Sequence, residues 1–529
     1  MPTTTAAPST PEDRRRVLRL AAAGAAGLWL PRSAWSRGTL RNDPFALGVA
    51  SGSPTHDSVV LWTRLAGGDT LLPAAVTVRW EIADDDGFKR IVQSGQAQAL
   101  AELAHSVHVE VPNLEPDRWY HYRFLAGGAT SPVGRTRTFP RPDASAARLR
   151  LAYASCQRWE HGYFSAYRHM LDEQLDAVLF LGDYIYEYTT ARDAVRVPPD
   201  GPVLTLADYR RRHALHKSEP ELQAMHARCP WLFVWDDHEV ENDYAGVHEG
   251  RHVRIGPDFA ARRAAAYQAY WEHMPLRTSV LDQAFTGLAR GAPLRMHGQL
   301  RFGRLATLTL LDLRQYKDAP ACTRDGRPGS SHVDPALCPA WNDPQRSMLG
   351  AAQERWLDTA FTNAGEQWNV VAQATLLGRR NDAHAPAQSF WNDGWDGYPA
   401  ARARLCDSLR RHRVANTVVL GGDVHENWVG YVKADYEKPD SPPIGVEFCG
   451  TSISSRSGGE ARLARRLAEN PHFVFADAAR RGYGVVELDA RKLTTTLRVV
   501  DDPTRRDTGI ATLARFEVPA GRAVIERDG

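Results

Sequence analysis

Ala177-Val178-Leu179-Phe180-Leu181-Gly182-Asp183-Tyr184-Ile185-Tyr186 is the stretch whose reading decides the fold. Its five leading apolar residues are too few for a helix, and a Gly-led acidic turn stops them. The run therefore reads as a buried strand that delivers Asp183 at its carboxyl end. Ligand chemistry in open α/β sheets sits at that end. Asp183 and Tyr186 are hard oxygen donors three residues apart, able to share one ion if the turn folds back, and a phenolate suits a ferric ion. Taken alone, the segment equally admits an Asp that caps the next helix and a Tyr packed in the core.

Other strand ends extend the pattern. Leu149-Arg150-Leu151-Ala152-Tyr153-Ala154 runs into Ser155-Cys156-Gln157, and Trp231-Leu232-Phe233-Val234-Trp235 runs into Asp236-Asp237-His238-Glu239. Thr417-Val418-Val419-Leu420 runs into Gly421-Gly422-Asp423-Val424-His425. A single buried carboxylate is often structural. Four strand ends that each present a ligand type point to a metal centre.

The chain of 529 residues, 43% hydrophobic and 24% charged, has the length for a large core and two domains. Its 65 basic and 63 acidic residues leave a formal charge of +2, so no global field points to nucleic acid or to an anionic membrane. No basic stretch interleaved with aromatics offers a stacking platform for bases.

At the N-terminus, Arg14-Arg15-Arg16-Val17-Leu18-Arg19 precedes an Ala/Gly/Leu run from Leu20 to Leu30, then Pro31 and small residues. This resembles a twin-arginine export signal, which implies the twin-arginine machinery as a partner and a periplasmic or extracellular destination. The apolar run is about half the ~20 residues a spanning helix needs, so a stable membrane anchor is not expected. Export of a folded protein suits a cofactor inserted beforehand.

From Asp43 to Pro140 the texture is one of short alternating runs, such as Val76-Thr77-Val78-Arg79-Trp80-Glu81 and Trp119-Tyr120-His121-Tyr122-Arg123-Phe124, separated by turn clusters. That is the pattern of a small β-sandwich. Leu114-Glu115-Pro116 followed by Tyr120-His121-Tyr122 resembles a fibronectin type III module. After Arg148, strands alternate with helical patterns, as when helices cover both faces of a sheet. Helices are expected at His161 to Gln174, Leu206 to Ala227, Pro257 to His273, Ala351 to Phe361 and Ala400 to His412. Gly484 to Leu488 and Thr494 to Val500 read as a hairpin closing a second sheet.

Lys317 to Ser347 lacks an apolar period and reads as a long functional loop. Of the six cysteines, Cys322 and Cys338, both in that loop, are the best candidates for a disulfide, which would contribute about 3 kcal/mol in the chain-entropy model. Cys229, Cys406 and Cys449 read as plain buried thiols. Cys156 differs because it stands at a strand end beside the other ligands, where a thiolate prefers a ferric or other transition ion.

Carboxylates, one thiolate, one phenolate and one imidazole suit a tight transition ion beside a harder, exchangeable cation. Two such ions polarise a phosphoryl oxygen and lower the pKa of a water, which is the chemistry of phosphate-ester hydrolysis. His238 either donates a proton or hydrogen bond to the ester or orients a ligand from behind. Arg158 and Asn242 are further candidates for phosphate or metal contact, and both could equally be surface residues.

Ser155-Cys156-Gln157, Gly182-Asp183-Tyr184-Ile185-Tyr186-Glu187, Trp235-Asp236-Asp237-His238-Glu239-Val240-Glu241-Asn242 and Gly422-Asp423-Val424-His425 together resemble the motifs of PhoD-type alkaline phosphatases/phosphodiesterases, within the metallophosphoesterase class. The resemblance implies an α/β fold: a metallophosphoesterase-like two-sheet sandwich flanked by helices over 148–518, a fibronectin III-like β-sandwich over 43–140 and a twin-arginine segment over 1–36. It further implies a ferric ion with calcium, hydrolysis of phosphomonoesters and diesters at alkaline pH, and secretion; a monomer is expected. Carried over by motif, Asp183 bridges the ions, Cys156, Tyr186 and His425 hold Fe3+, and Asp237 and Asp423 face Ca2+; from the reading of the residues themselves, Asn242 is a further candidate metal contact and His238 and Arg158 are candidate catalytic residues.

Asp183 and Tyr186 also resemble the Gly-Asp-x-x-Tyr motif of purple acid phosphatases, with Asp237 in place of an Asn and Asp423 in place of a His. Carboxylates there favour calcium over zinc. The short, polar Val518 to Gly529 stands where the family implies a closing helix, so a more open site is expected. Two other readings remain at this point: a phospholipase D-like or teichoic-acid-directed phosphodiesterase, and a carbohydrate-binding or adhesion protein whose catalytic domain is degenerate.

Overall fold

The computed structural model describes residues 43–66, 72–190, 194–250 and 258–528. The arginine-led segment 1–36 lies outside the described residues.

Two mixed sheets form the body of the molecule. At the centre of the first, a sheet of ten strands, Leu149–Ala154, Ala177–Leu181 and Trp231–Val234 run parallel. At the centre of the second, of seven strands, Ala306–Leu310, Trp368–Ala372, Thr417–Gly421 and Pro443–Cys449 run parallel. Every residue of Ala177–Leu181 is buried, so the run is apolar throughout, yet its side chains still divide by period two. Val178 and Phe180 join the core beneath the outer helices, while Ala177, Leu179 and Leu181 join the core between the sheets. In the second sheet Val418 and Leu420 face that same central core, and Val419 faces the opposite way, toward the helices Gly350–Thr362 and Pro399–Arg411. Helices thus cover the outer faces, and the carboxyl ends of both parallel centres open at one edge.

The N-terminal strands are not separate from this body. Ala75–Ala83, Ile91–Leu100, Trp119–Ala126, Ala129–Thr130 and Gly134–Arg137 form a small antiparallel sheet. Its apolar face, with Val78, Ile82, Tyr122 and Phe124, packs on Val59, Leu61, Val107 and Val109. These last belong to Val59–Arg64 and Ser106–Val111, which continue the ten-stranded sheet through Val49–Gly52, paired in parallel with Trp231 at Gly52.

Three expectations change. The hairpin Gly482–Leu488 and Lys492–Val500 lies in the first sheet, not the second: Gly484 to Leu488 pair antiparallel with Tyr153 to Leu149. The helix expected over Leu206 to Ala227 is two, Leu206–Lys217 and Pro220–Arg228, because Pro220 has no N–H to continue the ladder and instead starts the second helix. His161 to Gln174 holds only the short helix Ser165–Met170 between 3-10 turns. At the C-terminal end, Val518 lies in the strand Ile510–Pro519, and Glu526–Asp528 adds the sheet's outermost strand. Cys322 and Cys338 are disulfide-bonded.

Candidate metal centre

The strands end abruptly, and their last turns are unusual. Cys156, Asp183, Asp423 and His425 all adopt the left-handed conformation, with φ of 58°, 58°, 65° and 58°. Side chains other than glycine rarely sit there, and four such residues at four neighbouring positions mark a site where backbone strain is held for a purpose. Gly182, at φ 95°, precedes Asp183, and a Cβ on it would lie 2.6 Å from Asp236 Cβ. A Cβ on Gly422 would lie 2.5 Å from Ser155 Oγ, so the turns of the two sheets touch. The first two turns are also tied by backbone: Cys156 N–H donates to Gly182 O and Gln157 N–H to Asp183 O, each at 3.1 Å.

One cluster gathers at this junction. Ligand atoms of Cys156, Asp183 and His425 lie within 4.8 Å of one another. The Tyr186 hydroxyl donates to Asp183 Oδ2 at 3.0 Å and lies 3.2 Å from His425 Nε2. His425 Nδ1 faces Arg456 O at 2.8 Å. A carbonyl only accepts, so Nδ1 carries the proton and Nε2 presents its lone pair inward. Ser455 Oγ, 2.8 Å from both the Tyr186 oxygen and Cys156 O, fixes the phenol from behind. Arg158 does not reach into this cluster by its hydrogen bonds: Nε binds Glu160 and Nη2 binds Tyr188 O, while the guanidinium lies over the rings of Tyr186 and Tyr188 at 4.8 and 4.5 Å.

A second cluster shares Asp183. Ligand atoms of Asp183, Asp237 and His238 also lie within 4.8 Å of one another. Glu187 accepts from His238 Nδ1 at 2.7 Å and from the Asn242 N–H at 2.8 Å, which leaves His238 Nε2 toward the centre. The backbone N–H of Asn242 is thereby tied to Glu187, on the turn after Asp237. Asp423 accepts from Thr375 Oγ1, and it is half-buried where most of the centre is closed to solvent. Glu239 holds the turns together, its carboxylate accepting from the N–H groups of Asp183, Tyr184 and Asp236.

Behind Asp237 stand groups that strand-end reading did not find. Asp237, Asp243 and Asp393 form a third close group of carboxylates. Arg314, 1% exposed, binds Asp393 through both terminal nitrogens at 2.8 and 2.7 Å and Asp236 through Nε, and Lys317 adds a contact to Asp393 at 2.6 Å. Arg314 follows the strand Ala306–Leu310, so the carboxyl end of that strand was a readable signal. Asp393 sits in irregular chain with no such mark.

The charges of the centre are only partly compensated: Arg314 and Lys317 answer Asp236 and Asp393, and among the described residues no lysine or arginine is paired with Asp183. Burial, reinforced by Asp237, Glu239 and Asp423, pushes Asp183 well above the carboxylate range against the pull of His238. Burial and the Asp183 charge push the Cys156 thiol and the Tyr186 phenol up likewise. Burial brings Asp423 up to about 6, with Asp393 and Asp237 adding to it. Burial opposes ionisation of Asp237 too, but Arg314 and His238 outweigh it and hold the group below its ordinary value. His238 is raised well above its ordinary value by Asp237, Asp183 and Glu187 despite burial, and burial lowers His425 to about 3. Asp183 Oδ1 is buried without a hydrogen-bond partner. A cation at the focus would relieve both the repulsion and the orphaned oxygen, and the donor set fits one: sulfur, phenol and imidazole on one side of Asp183, the Asp237 carboxylate with the His238 imidazole on the other.

Comparisons with known proteins identify the family. The family model for the PhoD-like phosphatase matches residues 151–497, and that for the PhoD-like phosphatase N-terminal domain matches residues 32–140. Alkaline phosphatase D of Bacillus subtilis (strain 168) is 42% identical over 487 residues, spanning 89% of this chain and 80% of that protein. A solved structure of PhoD superposes with a TM-score of 0.84 at 40% identity, covering 94% of each chain.

Proposed function

Since this chain belongs to the PhoD-like phosphatase family and is a phosphoric ester hydrolase, we propose that it hydrolyses phosphomonoesters and diesters at alkaline pH through a mixed centre of Fe3+ and Ca2+. Cys156, Tyr186 and His425 hold the iron, Asp183 serves both ions, and Asp237, Asp423 and Asn242 face calcium. The observation that carries this is the place of Asp183, common to a cluster with Cys156 and His425 and to a second cluster with Asp237 and His238, with one oxygen left unpartnered. When bound, the ions supply Lewis acidity at a phosphoryl oxygen and bring the pKa of a water toward neutrality.

The chain's own residues supply the rest. His238, anchored through Nδ1 on Glu187, directs Nε2 at the centre as the donor to the leaving ester oxygen. Arg158, held by Glu160 and Tyr188 O, contributes positive charge beside Tyr186 and holds the ring in place. In fold terms the body is assigned as a metallophosphoesterase-like sandwich over 148–518, and the N-terminal strands as a fibronectin III-like module over 43–140. Among the described residues no helix is long and apolar enough to cross a membrane, and we assign segment 1–36 to twin-arginine export of a monomeric enzyme.

Metal analysis and turnover of chromogenic mono- and diesters on the purified protein test this. Iron and calcium are expected together with hydrolysis of both esters. Full turnover by protein that contains neither metal would overturn the centre as assigned.

A further inference from the structure

We propose that the disulfide-closed flap from Ala321 to Trp341 positions Asp237 for its cation, and that Asn392 is the residue through which the flap is held. This rests on the calcium pocket proposed above and adds what sets its affinity.

The flap is a small unit of its own. Cys322 and Cys338 close it, Val333, Cys338, Trp341 and Phe390 form a separate apolar cluster, and Trp341 stacks on Phe390 at 5.3 Å. His332–Val333 pairs antiparallel with Phe390–Trp391. The stem of the flap closes on Asn392, which is fully buried. Asn392 Nδ2 donates to Ala321 O at 2.7 Å, Oδ1 accepts from the Ser331 N–H at 2.7 Å, and its own N–H donates to Ser331 O at 3.1 Å. One amide side chain thus joins both ends of the stem.

Two relays lead from this stem to Asp237. In the first, the Ser330 N–H donates to Asp243 Oδ2 at 3.1 Å, and the Asp243 N–H donates to Asp237 Oδ2 at 2.6 Å. In the second, Asp393, next in the chain to Asn392, binds Arg314 at two points, and Arg314 Nη2 stands 3.7 Å from Asp237 Oδ2. Displacing the stem moves a donor and a cation on the same carboxylate oxygen. Asp243 and Asp393 serve here to orient Asp237, since the Asp393 carboxylate is already taken by Arg314 and Lys317. The residues assigned to iron are anchored elsewhere, Tyr186 by Ser455 and His425 by Arg456. The flap therefore acts on one side of the centre. Outer partners of metal ligands are worth roughly 10–100-fold in affinity.

The test compares the full-length enzyme with Cys322→Ser/Cys338→Ser and with Asn392→Ala, each stripped of calcium by a chelator and titrated calorimetrically with calcium alone, while the visible absorption and iron content report the other side. About tenfold weaker calcium binding in both variants, with iron and its absorption unchanged, is expected. Calcium affinity within twofold of the parent in both overturns the inference, as does joint loss of calcium affinity and iron, which would make the flap a general stabiliser. A parent that binds no calcium overturns the pocket assignment and this inference together, whereas a parent that binds it beside variants that match it overturns the inference alone.

Discussion

Tyr186 donates its phenolic hydrogen bond to Asp183 Oδ2 at 3.0 Å, across a turn that both residues enter within three positions of one another. That contact places a phenol oxygen against the one carboxylate common to both clusters, and Ser455 fixes it from the other side. If the oxygen binds Fe3+ as phenolate, a charge-transfer band in the visible follows. Tyr186→Phe should abolish or strongly shift that band and lower turnover by at least about 100-fold, beyond the loss of an outer partner. An unchanged absorption spectrum in the iron-loaded variant would remove Tyr186 from the ligand set.

How much of this was legible depended on what each residue's environment writes into the chain. Cys156, Asp183, Asp237 and Asp423 follow runs of buried strand, and a fully apolar run ended by a polar turn is visible without coordinates. Glu187 and Glu239 stand inside the same motifs, but nothing in one dimension says that their carboxylates accept backbone N–H groups from neighbouring turns. Asp393 and Asn392 lie in irregular chain whose position is set by the flap, so no period marks them. The hairpin from 482 to 500 was readable as a hairpin and not as a neighbour of Leu149–Ala154, because alternation fixes which face is buried and not which strand is paired. Pro220 was the plain stop signal that separates the two helices.

Glu187→Gln tests whether His238 works as donor. The substitution keeps the size of a side chain that is 3% exposed, but its neutral amide no longer stabilises an imidazolium 2.7 Å away. With that carboxylate charge gone His238 holds its proton less well, so the pH limb that requires protonated His238 moves to lower pH. A fall of about 10–100-fold in kcat/KM is expected, with iron and calcium retained. The pH–rate profile checks it, and a limb that stays in place refutes the donor role.

Chelation should abolish activity, and calcium should restore it better than zinc. Asp237 and Asp423 are hard oxygen donors, whereas zinc favours nitrogen and sulfur, and the one nitrogen grouped with Asp183 and Asp237 is that of His238, which is held on Glu187. Turnover recovered by zinc alone would show that the second cation site has been misassigned.

Cys156→Ala separates a ligand from a packed thiol. The side chain is 1% exposed and its ligand atom is close to those of Asp183 and His425, but its removal takes little core volume. As a ligand, Cys156 is needed for iron, and the variant should lose iron and nearly all turnover while keeping its fold. As a small buried hydrophobe it would cost only about 1 kcal/mol of stability. Iron content and diester turnover on the one variant decide it, and normal values of both defeat the thiolate assignment.

Lys217 makes a prediction about stability rather than catalysis. It ends the helix Leu206–Lys217 at 1% exposure, its ammonium over the rings of Trp62 at 4.3 Å and Tyr184 at 5.3 Å and without a hydrogen-bond partner, between the N-terminal strands and the turn that carries Asp183. Burial lowers its pKa from 10.5 to about 7. Above pH 7 the folded protein holds this amine largely neutral while the unfolded chain still protonates it, so the unfolded state binds more protons and stability rises with pH. The rise starts near pH 7 and would end near 10.5. Burial has pushed His213 and His226 well below their ordinary values, so both are already neutral throughout. The buried thiols, with Cys229 and Cys406 raised to about 12 and Cys156 and Cys449 raised well above their ordinary value, act in the opposite sense from about pH 8 upward, where unfolded thiols ionise, and do so equally in the parent and in a Lys217 variant. Between pH 7 and 9 the contribution of Lys217 itself should rise by about 2–3 kcal/mol, read as the difference between the parent and a variant without the charge. Lys217→Met fills the same space without a charge and should be more stable than the parent at pH 7, with that contribution to the slope removed. Urea unfolding at pH 7, 8 and 9 measures both proteins. A variant that keeps the parent's slope would mean that Lys217 stays protonated in the fold, with the two aromatic faces offsetting its burial.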